Sequence, residues 1–241
     1  MKKIAILLPG LVRSYKKTYN NFTTNILKEN SDKYEIDVFL AFWDYTHKRG
    51  PMGSKTEKRK LSQEEIEDIV KMYSPKKHII LTDYKDKNKM FEDKSKEIAK
   101  KMGIPRHEDG IALIQNGILA QTYTWQKAFS LIDGEYDLVL KTRFDAASEK
   151  IDFDKIIDRH FNCSGPSHQF VQYGLADVIF SSDHKTMHKI MSNYHNDAME
   201  NRLSIPEKGY PNIFQEYILR EFLKQLQIKI NYIEKKVYII R

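Results

Sequence analysis

The feature that most narrows the folds open to this chain is a short, unbroken apolar run near its start, Ile4-Ala5-Ile6-Leu7-Leu8, closed at once by Pro9-Gly10. A strand with one wet face alternates apolar and polar side chains. A strand covered on both faces reads as a continuous run, the pattern of parallel sheets packed between helices. The run is therefore expected to form a first, central strand. The basic Met1-Lys2-Lys3 ahead of it mimics the opening of a signal peptide, but Pro9-Gly10 cuts the apolar stretch too short for one. No other stretch approaches a membrane span.

The rest of the chain continues the same grammar. Residues 15–30 read as a helix and 36–43 as a second apolar run, so strand, helix and strand open a βαβ unit. Residues 47–60, with Gly50, Pro51, Gly53 and Ser54 and no periodicity, predict an exposed loop of the kind that covers a ligand. Ser62 with Glu65 forms a capping box for a helix whose buried face is Ile66, Ile69, Val70 and Tyr73, and Pro75 ends it. Residues 78–82 read as a short strand, and 83–101 as a charge-dense, partly helical segment with a solvated face.

Ile114, Ile118, Gln121, Trp125, Phe129 and Ile132 recur at helical spacing, which predicts a long, mostly buried helix over 113–132 feeding a core strand at 136–140. Beyond it, 170–180 suggest one or two strands, 185–194 and 213–226 amphipathic helices, and 228–240 a β-rich end. There are no repeats and no low-complexity tracts. This order predicts an α/β fold of Rossmann-like, nucleotide-binding type, with a mostly parallel central sheet flanked by helices in a single domain spanning 1–241.

Composition removes several alternatives. The 241 residues, 41% hydrophobic, suffice for an ordinary core. The formal charge of +7 is the small remainder of 40 Lys and Arg against 33 Asp and Glu. The lysines are spread from Lys16 to Lys101 rather than gathered in one stripe, which argues against nucleic acid as the main ligand. Cys163 is the single cysteine, which excludes an internal disulfide or a multi-thiolate metal site and fits a reducing, cytoplasmic setting.

In open α/β sheets ligands bind beyond the carboxyl ends of the strands, so the residues after each apolar run are the candidates. After the first run, Gly10 lets backbone approach a ligand and Arg13 can pair with a phosphate; a plain turn with a surface arginine explains the same residues. After the second, Trp43 and Asp44 suit stacking on a base or sugar and binding a hydroxyl, while core packing of Trp43 is an equal reading. The third, running from Tyr136 through Lys141, Thr142, Arg143 and Phe144 to Asp145, is the strongest signal.

Asp145 is a natural ligand for a hard divalent ion, Mn2+ or Mg2+, that would neutralise a diphosphate. Lys141 and Arg143 can add charge-assisted bonds to the same phosphates, since strict alternation puts all three side chains on one face. A surface ion pair is the bland alternative. His184 and His188 have helical i, i+4 spacing, but no acid completes a zinc motif.

Gly10 with Arg13, residues 37–44, 121–128 and 136–145, and Ala176-Asp177-Val178-Ile179-Phe180-Ser181 followed by Met187 together carry a resemblance. In their order and spacing the chain resembles a small GT-A-type glycosyltransferase family found in bacterial surface-polysaccharide loci and in large algal DNA viruses that glycosylate their capsids. That resemblance implies a GT-A-like fold and metal-assisted transfer of a hexose or deoxyhexose from a nucleotide sugar to a hydroxyl of a glycan or glycoprotein. Donor identity does not carry over with it, and a UDP-sugar is the favoured expectation. It also implies that Pro9, Gly10 and Arg13 line the nucleotide site and that Asp145 meets metal and diphosphate. Residues 1–145 would mainly bind donor and 146–241 mainly acceptor.

Such enzymes usually carry Asp-X-Asp at this strand, whereas here Arg143-Phe144-Asp145 keeps only the second acid. If the sugar is transferred with inversion, a carboxylate base is needed, and Asp177 and Glu216 are the candidates. A turn cap for Asp177 and an exposed helical glutamate for Glu216 are the corresponding bland readings. Two other classes stand beside the transferase: a non-catalytic sugar-nucleotide or glycan-binding module, and a nucleotidyltransferase. The last would need a glycine-rich, basic loop after the first strand, and residues 9–13 are too poor in glycine for that.

Overall fold

The computed structural model describes residues 1–48, 57–101, 114–157, 161–164, 178–200, 215–233 and 237–240. The opening run becomes the middle of β1 (Lys2–Gly10), and after α1 (Tyr15–Phe22), which continues to Lys28 in wider π-type turns, comes β2 (Tyr34–Trp43). Both strands are covered on both faces. Ala5, Leu7, Phe39, Ala41 and Trp43 enter one core, and Ile4, Ile6, Leu8, Val38, Leu40 and Phe42 enter the other. A period-two backbone with no polar interruption has to be enclosed on both sides, and helices supply that enclosure.

The arms of the expected 47–60 loop are ordered strands rather than loop. Here β3 (Tyr45–Lys48) pairs antiparallel with β4 (Glu57–Lys60), and residues 49–56 lie outside the described part. The capping box forms as read: Ser62 accepts from the Glu65 amide and Glu65 reaches back to the Ser62 amide at the start of α2 (Gln63–Tyr73). Then follow β5 (Lys77–Leu81) and α3 (Tyr84–Lys101), whose charge run hides a buried stripe of Phe91, Ser95, Ile98 and Ala99.

The long helix predicted over 113–132 is divided. Ile114–Ala120 form π-type turns, and α4 (Gln121–Phe129) then ends where the amides of Leu131 and Ile132 bond back to the Ala128 and Phe129 carbonyls in a tightened turn. Next, β6 (Leu138–Lys141) starts later than expected, although the Asp137 amide already bonds to the Lys3 carbonyl of β1 at 2.8 Å. Tyr136 donates to Asp37 at 2.7 Å, and the Asp137 carboxylate accepts from the Lys3 amide at 2.7 Å.

Beyond β6 the described elements are β7 (Ala146–Ser148), β8 (Phe161–Ser164), β9 (Phe180–Ser182), α5 (His184–Met199), α6 (Gln215–Gln225), β10 (Ile230–Ile233) and β11 (Val237–Ile239). Of the strands expected over 170–180, only the start of β9 falls in the described residues. Seven strands form one sheet in the order β10-β8-β9-β6-β1-β2-β5. Neighbours run parallel except β9, which is antiparallel to both β6 and β8. Separately, β11 pairs antiparallel with β7.

The fold is thus a mixed α/β one with a mostly parallel central sheet flanked by helices, as the sequence predicts. Residues of α3, α4, α5 and α6 build one core, and those of α1, α2 and the segment around Ile151 and Phe153 build the other. Among the described residues no helix is long and apolar enough to cross a membrane.

Candidate functional site

The sheet order places β1 between β2 and β6, so the carboxyl ends of the three strands singled out by sequence lie side by side. The first of them ends at Gly10, whose φ of 117° is a conformation L side chains rarely adopt. A Cβ built there would meet nothing within 4 Å, so the backbone faces open space at the sheet edge. Pro9 is buried beneath it. Four residues on, Ser14 takes a left-handed φ of 56° and α1 begins. Arg13 leaves the chain between these two backbone reversals.

At the neighbouring strand end the expected alternation breaks. The last strand residue is Lys141, and residues 144–145 form a turn in which the Ala146 amide bonds to the Arg143 carbonyl at 3.2 Å. Lys141 therefore does not share a face with Arg143 and Asp145. It is fully buried in the first core, its ammonium 4.8 Å from the Trp125 ring centre and 5.1 Å from that of Phe180. This placement is that of a core cation rather than of a phosphate ligand at the sheet edge.

Three bonds fix the turn itself. The Thr18 hydroxyl of α1 donates to the Phe144 carbonyl, the Thr142 amide to the Leu7 carbonyl at 2.9 Å, and the Ile240 amide, just past β11, to the Asp145 carbonyl at 2.8 Å. Held this way, the Asp145 carboxylate, 3% exposed, accepts from Arg143 through both oxygens: Nε to Oδ1 at 2.8 Å and a terminal nitrogen to Oδ2 at 3.0 Å. Arg13 approaches Oδ2 at 3.4 Å from the other side. The two arginine side chains are partly open to solvent, 28% for Arg13 and 19% for Arg143, with the Nε of Arg13 buried. One buried carboxylate thus holds two arginines.

This arrangement fits an anion better than a metal ion. A divalent cation at Asp145 would have to share both carboxylate oxygens with guanidinium donors that already bond to them. A dication about 4 Å from either guanidinium would be repelled by roughly 8 kcal/mol at an effective dielectric of about 20. Among the described residues no group of three or more His, Cys, Asp or Glu side chains is placed to hold a metal. The divalent ion expected at Asp145 does not fit the residues around it.

The third strand end is mixed in character. Trp43 lies in the first core, stacked on Tyr123 with ring centres 5.6 Å apart, which is the packing reading of that residue. Asp44 is buried at 2% exposure; its backbone bonds to Leu81 and Leu61, and Lys60 of β4 stands 3.4 Å from Oδ2. Its Oδ1 is buried without a hydrogen-bond partner. A buried carboxylate oxygen in that state is costly unless a donor is brought to it.

Of the two candidate bases, Asp177 lies outside the described residues, and Glu216 sits in the first turn of α6 with its side chain outside them. His184 and His188 both lie against the Phe129 ring, at 5.4 and 5.5 Å. Cys163 is buried and its thiol is pushed up to about 12 by desolvation, so it is chemically quiet.

Sequence reasoning missed the residues that hold the site. Besides Thr18, the Asn21 side chain exchanges two bonds with the Ser148 backbone (3.0 and 2.8 Å), Asn25 adds one at 2.6 Å, and Asn30 bonds to the Ile151 carbonyl and the Phe153 amide at 2.7 and 2.9 Å. The only signal available was asparagines spaced along a polar helix dotted with aromatic residues.

No protein-family model matches the chain, and no curated protein does. Among solved structures it is similar to mouse xyloside xylosyltransferase 1 in its apo form, at 8% identity over 97% of this chain and 85% of that one, with a TM-score of 0.44. It is similar to the galactosyltransferase LgtC in complex with donor and acceptor sugar analogues, at 10% identity over 91% and 70%, TM-score 0.44. A third is the apo form of the glycosyltransferase GlyE of Streptococcus pneumoniae TIGR4, at 9% identity over 96% of this chain and 45% of that one, TM-score 0.44.

Proposed function

We propose that the protein is a glycosyltransferase that moves a sugar, a hexose or deoxyhexose, from a nucleotide-sugar donor, a UDP-sugar favoured, to a hydroxyl of a glycan or glycoprotein. The observation that carries the reading is the pair of arginines gripped by buried Asp145 beside the open backbone at Gly10, where the carboxyl ends of β1 and β6 meet.

In the transfer, the bond between the anomeric carbon and the diphosphate oxygen breaks, its electron pair staying on that oxygen. The acceptor oxygen bonds to the carbon, and its proton leaves to a base. Arg13 and Arg143 stabilise the charge that grows on the departing diphosphate. Asp44 receives a hydroxyl or N–H of the nucleoside on its unpartnered Oδ1. Asp177 and Glu216 are proposed for the base. Residues 1–145 are assigned mainly to the donor and 146–241 mainly to the acceptor.

The test is a panel of nucleoside diphosphates and nucleotide sugars scored by thermal shift, because a ligand that binds only the native state raises its melting temperature. Stabilisation by one nucleotide, with release of its diphosphate when glycans are added, supports transfer. Stabilisation with no release from any donor would make the chain a non-catalytic sugar-nucleotide module. No stabilisation across the panel would overturn the nucleotide reading.

A further inference from the structure

We infer that Lys87 and Lys127 form a second anion site, over the first core and apart from the Gly10 end of the sheet, that takes a phosphoryl group. The inference goes beyond the transferase reading and stands without it.

Tyr123 of α4 is the meeting point. Its ring stacks on Trp43, the last residue of β2, with the rings of His195 and Phe91 at 5.5 and 5.7 Å. The ammonium of Lys127 lies 5.3 Å from the Tyr123 ring centre, and that of Lys87 lies 5.3 Å from it as well. The two charges are therefore no farther apart than twice that distance. Lys127 is one turn on from Tyr123, and helical side chains lean towards the N-terminus, so helix geometry alone brings it there. Lys87 has no such reason. It comes from the first turn of α3, a separate element.

Two like charges brought together repel, and a chain rich in acids commonly answers them with a carboxylate. Lys60, Lys76 and Lys77 each have one within 3.4 Å. Among the described residues Lys87 and Lys127 have none within ion-pair distance, and both side chains are partly buried, so water answers their charge only in part. The tyrosine ring attracts each ammonium but carries no net charge. His195 registers the result: after desolvation, the charges of Lys87 and Lys127 push its pKa down, so their positive charge is felt inside the core.

A phosphoryl group fits what is left open. Lysine meets phosphate as a point charge with rotatable donors. The Tyr123 hydroxyl, which has no hydrogen-bond partner among the described residues, adds a neutral donor. Burial and, after it, Asp83 raise the pKa of that hydroxyl, so it keeps its proton to donate, while Asp83 pairs with neither ammonium. The site is also distinct in place. Around Gly10 and Asp145, the residues Val12, Phe144 and Ala146 pack into the second core, whereas Tyr123 belongs to the first.

The test is NMR titration of the full chain, near neutral pH and at constant ionic strength, with inorganic phosphate and separately with glucose 1-phosphate. The ring signals of His195 and Tyr123 report on the site. Saturable shifts of both rings are expected. Lys87→Gln and Lys127→Gln should each weaken phosphate by roughly tenfold, and the double variant should lose the shifts. Lys87→Arg, which keeps the charge, should retain them. Tighter binding of glucose 1-phosphate names a phosphorylated sugar as the source of the group, and equal affinity names free phosphate.

Rings that stay still, or that drift without saturating, overturn the inference, as does unchanged affinity in the double variant. Shifts confined to the amides around Gly10 and Arg13 would put phosphate at the β1 end alone and overturn it too. No nucleotide enters this titration, so its failure leaves the transferase reading standing, and failure of the nucleotide panel leaves this site standing. Should a glutamine variant fail to fold, the wild-type shifts and Lys87→Arg still decide the matter.

Discussion

Asp145 shows how one residue can set two others. Its buried carboxylate, bonded twice to Arg143 and approached by Arg13, turns two flexible cations into a fixed pair. Asp145→Asn keeps the volume but offers an amide N–H to a guanidinium that also donates. The loss of charge-assisted bonds should cost roughly 1–3 kcal/mol, since the arginines stay partly hydrated, and it should appear as a lower melting temperature together with weaker donor binding. Gly10 acts on the backbone alone. Gly10→Ala meets no atom within 4 Å, so any destabilisation measures the positive φ and should be about 1–3 kcal/mol in a urea titration. A variant as stable as wild type would show that the β1 end does not need that conformation.

Between β1 and β2, α1 does more than cover a core. Asn21, Asn25 and Asn30 along it hold the 148–153 segment, which leads away from the Arg143 to Asp145 turn. Asn30→Ala would strand the Ile151 carbonyl and the Phe153 amide in a buried place, at roughly 1–3 kcal/mol for each group. Thermal melting should show that loss, whereas Asn21→Ala, at a half-buried position, should cost less. This ladder also marks where sequence reading stops. Elements such as β1, β2 and α2 were legible because an apolar run and a capping box are local statements about faces and ends. The asparagines read only as weak helix formers, because their partners lie more than a hundred positions away in the chain. The same distance hid the meeting of Arg13 with Asp145. Lys141 was misplaced for a different reason: alternation was extended past the strand's last residue, and a turn ended it.

At the scale of the molecule, the first core must hold several helices against one sheet face, and His195 lies inside that packing. It is buried on α5, edge-on to Phe91 of α3 and Tyr123 of α4, with Nδ1 3.0 Å from the Thr122 hydroxyl. The Thr122 hydrogen goes to the Ile118 carbonyl at 2.6 Å, so His195 is the donor in that pair and sits there as a neutral ring. Desolvation first, then the nearby charges of Lys87 and Lys127, bring its pKa from the ordinary 6.5 down to about 4. Between those values the unfolded chain takes up a proton that the native one refuses, so stability is full above pH 6.5 and falls as the pH drops towards 4, by up to roughly 3 kcal/mol. Glu65 acts in a lower window. Its bonds to Arg59 and to the Ser62 amide hold it near 2 rather than 4.5, so its contribution persists until the pH falls below about 4.5 and is lost towards 2. Urea unfolding at a series of pH values should therefore show wild type losing stability already between 6.5 and 4.5. In His195→Gln, which keeps an amide donor for Thr122 but cannot titrate, the curve should stay flatter there and then fall in parallel as carboxylates protonate. Equal slopes for the two proteins in the upper window would mean that His195 accepts its proton without leaving the core.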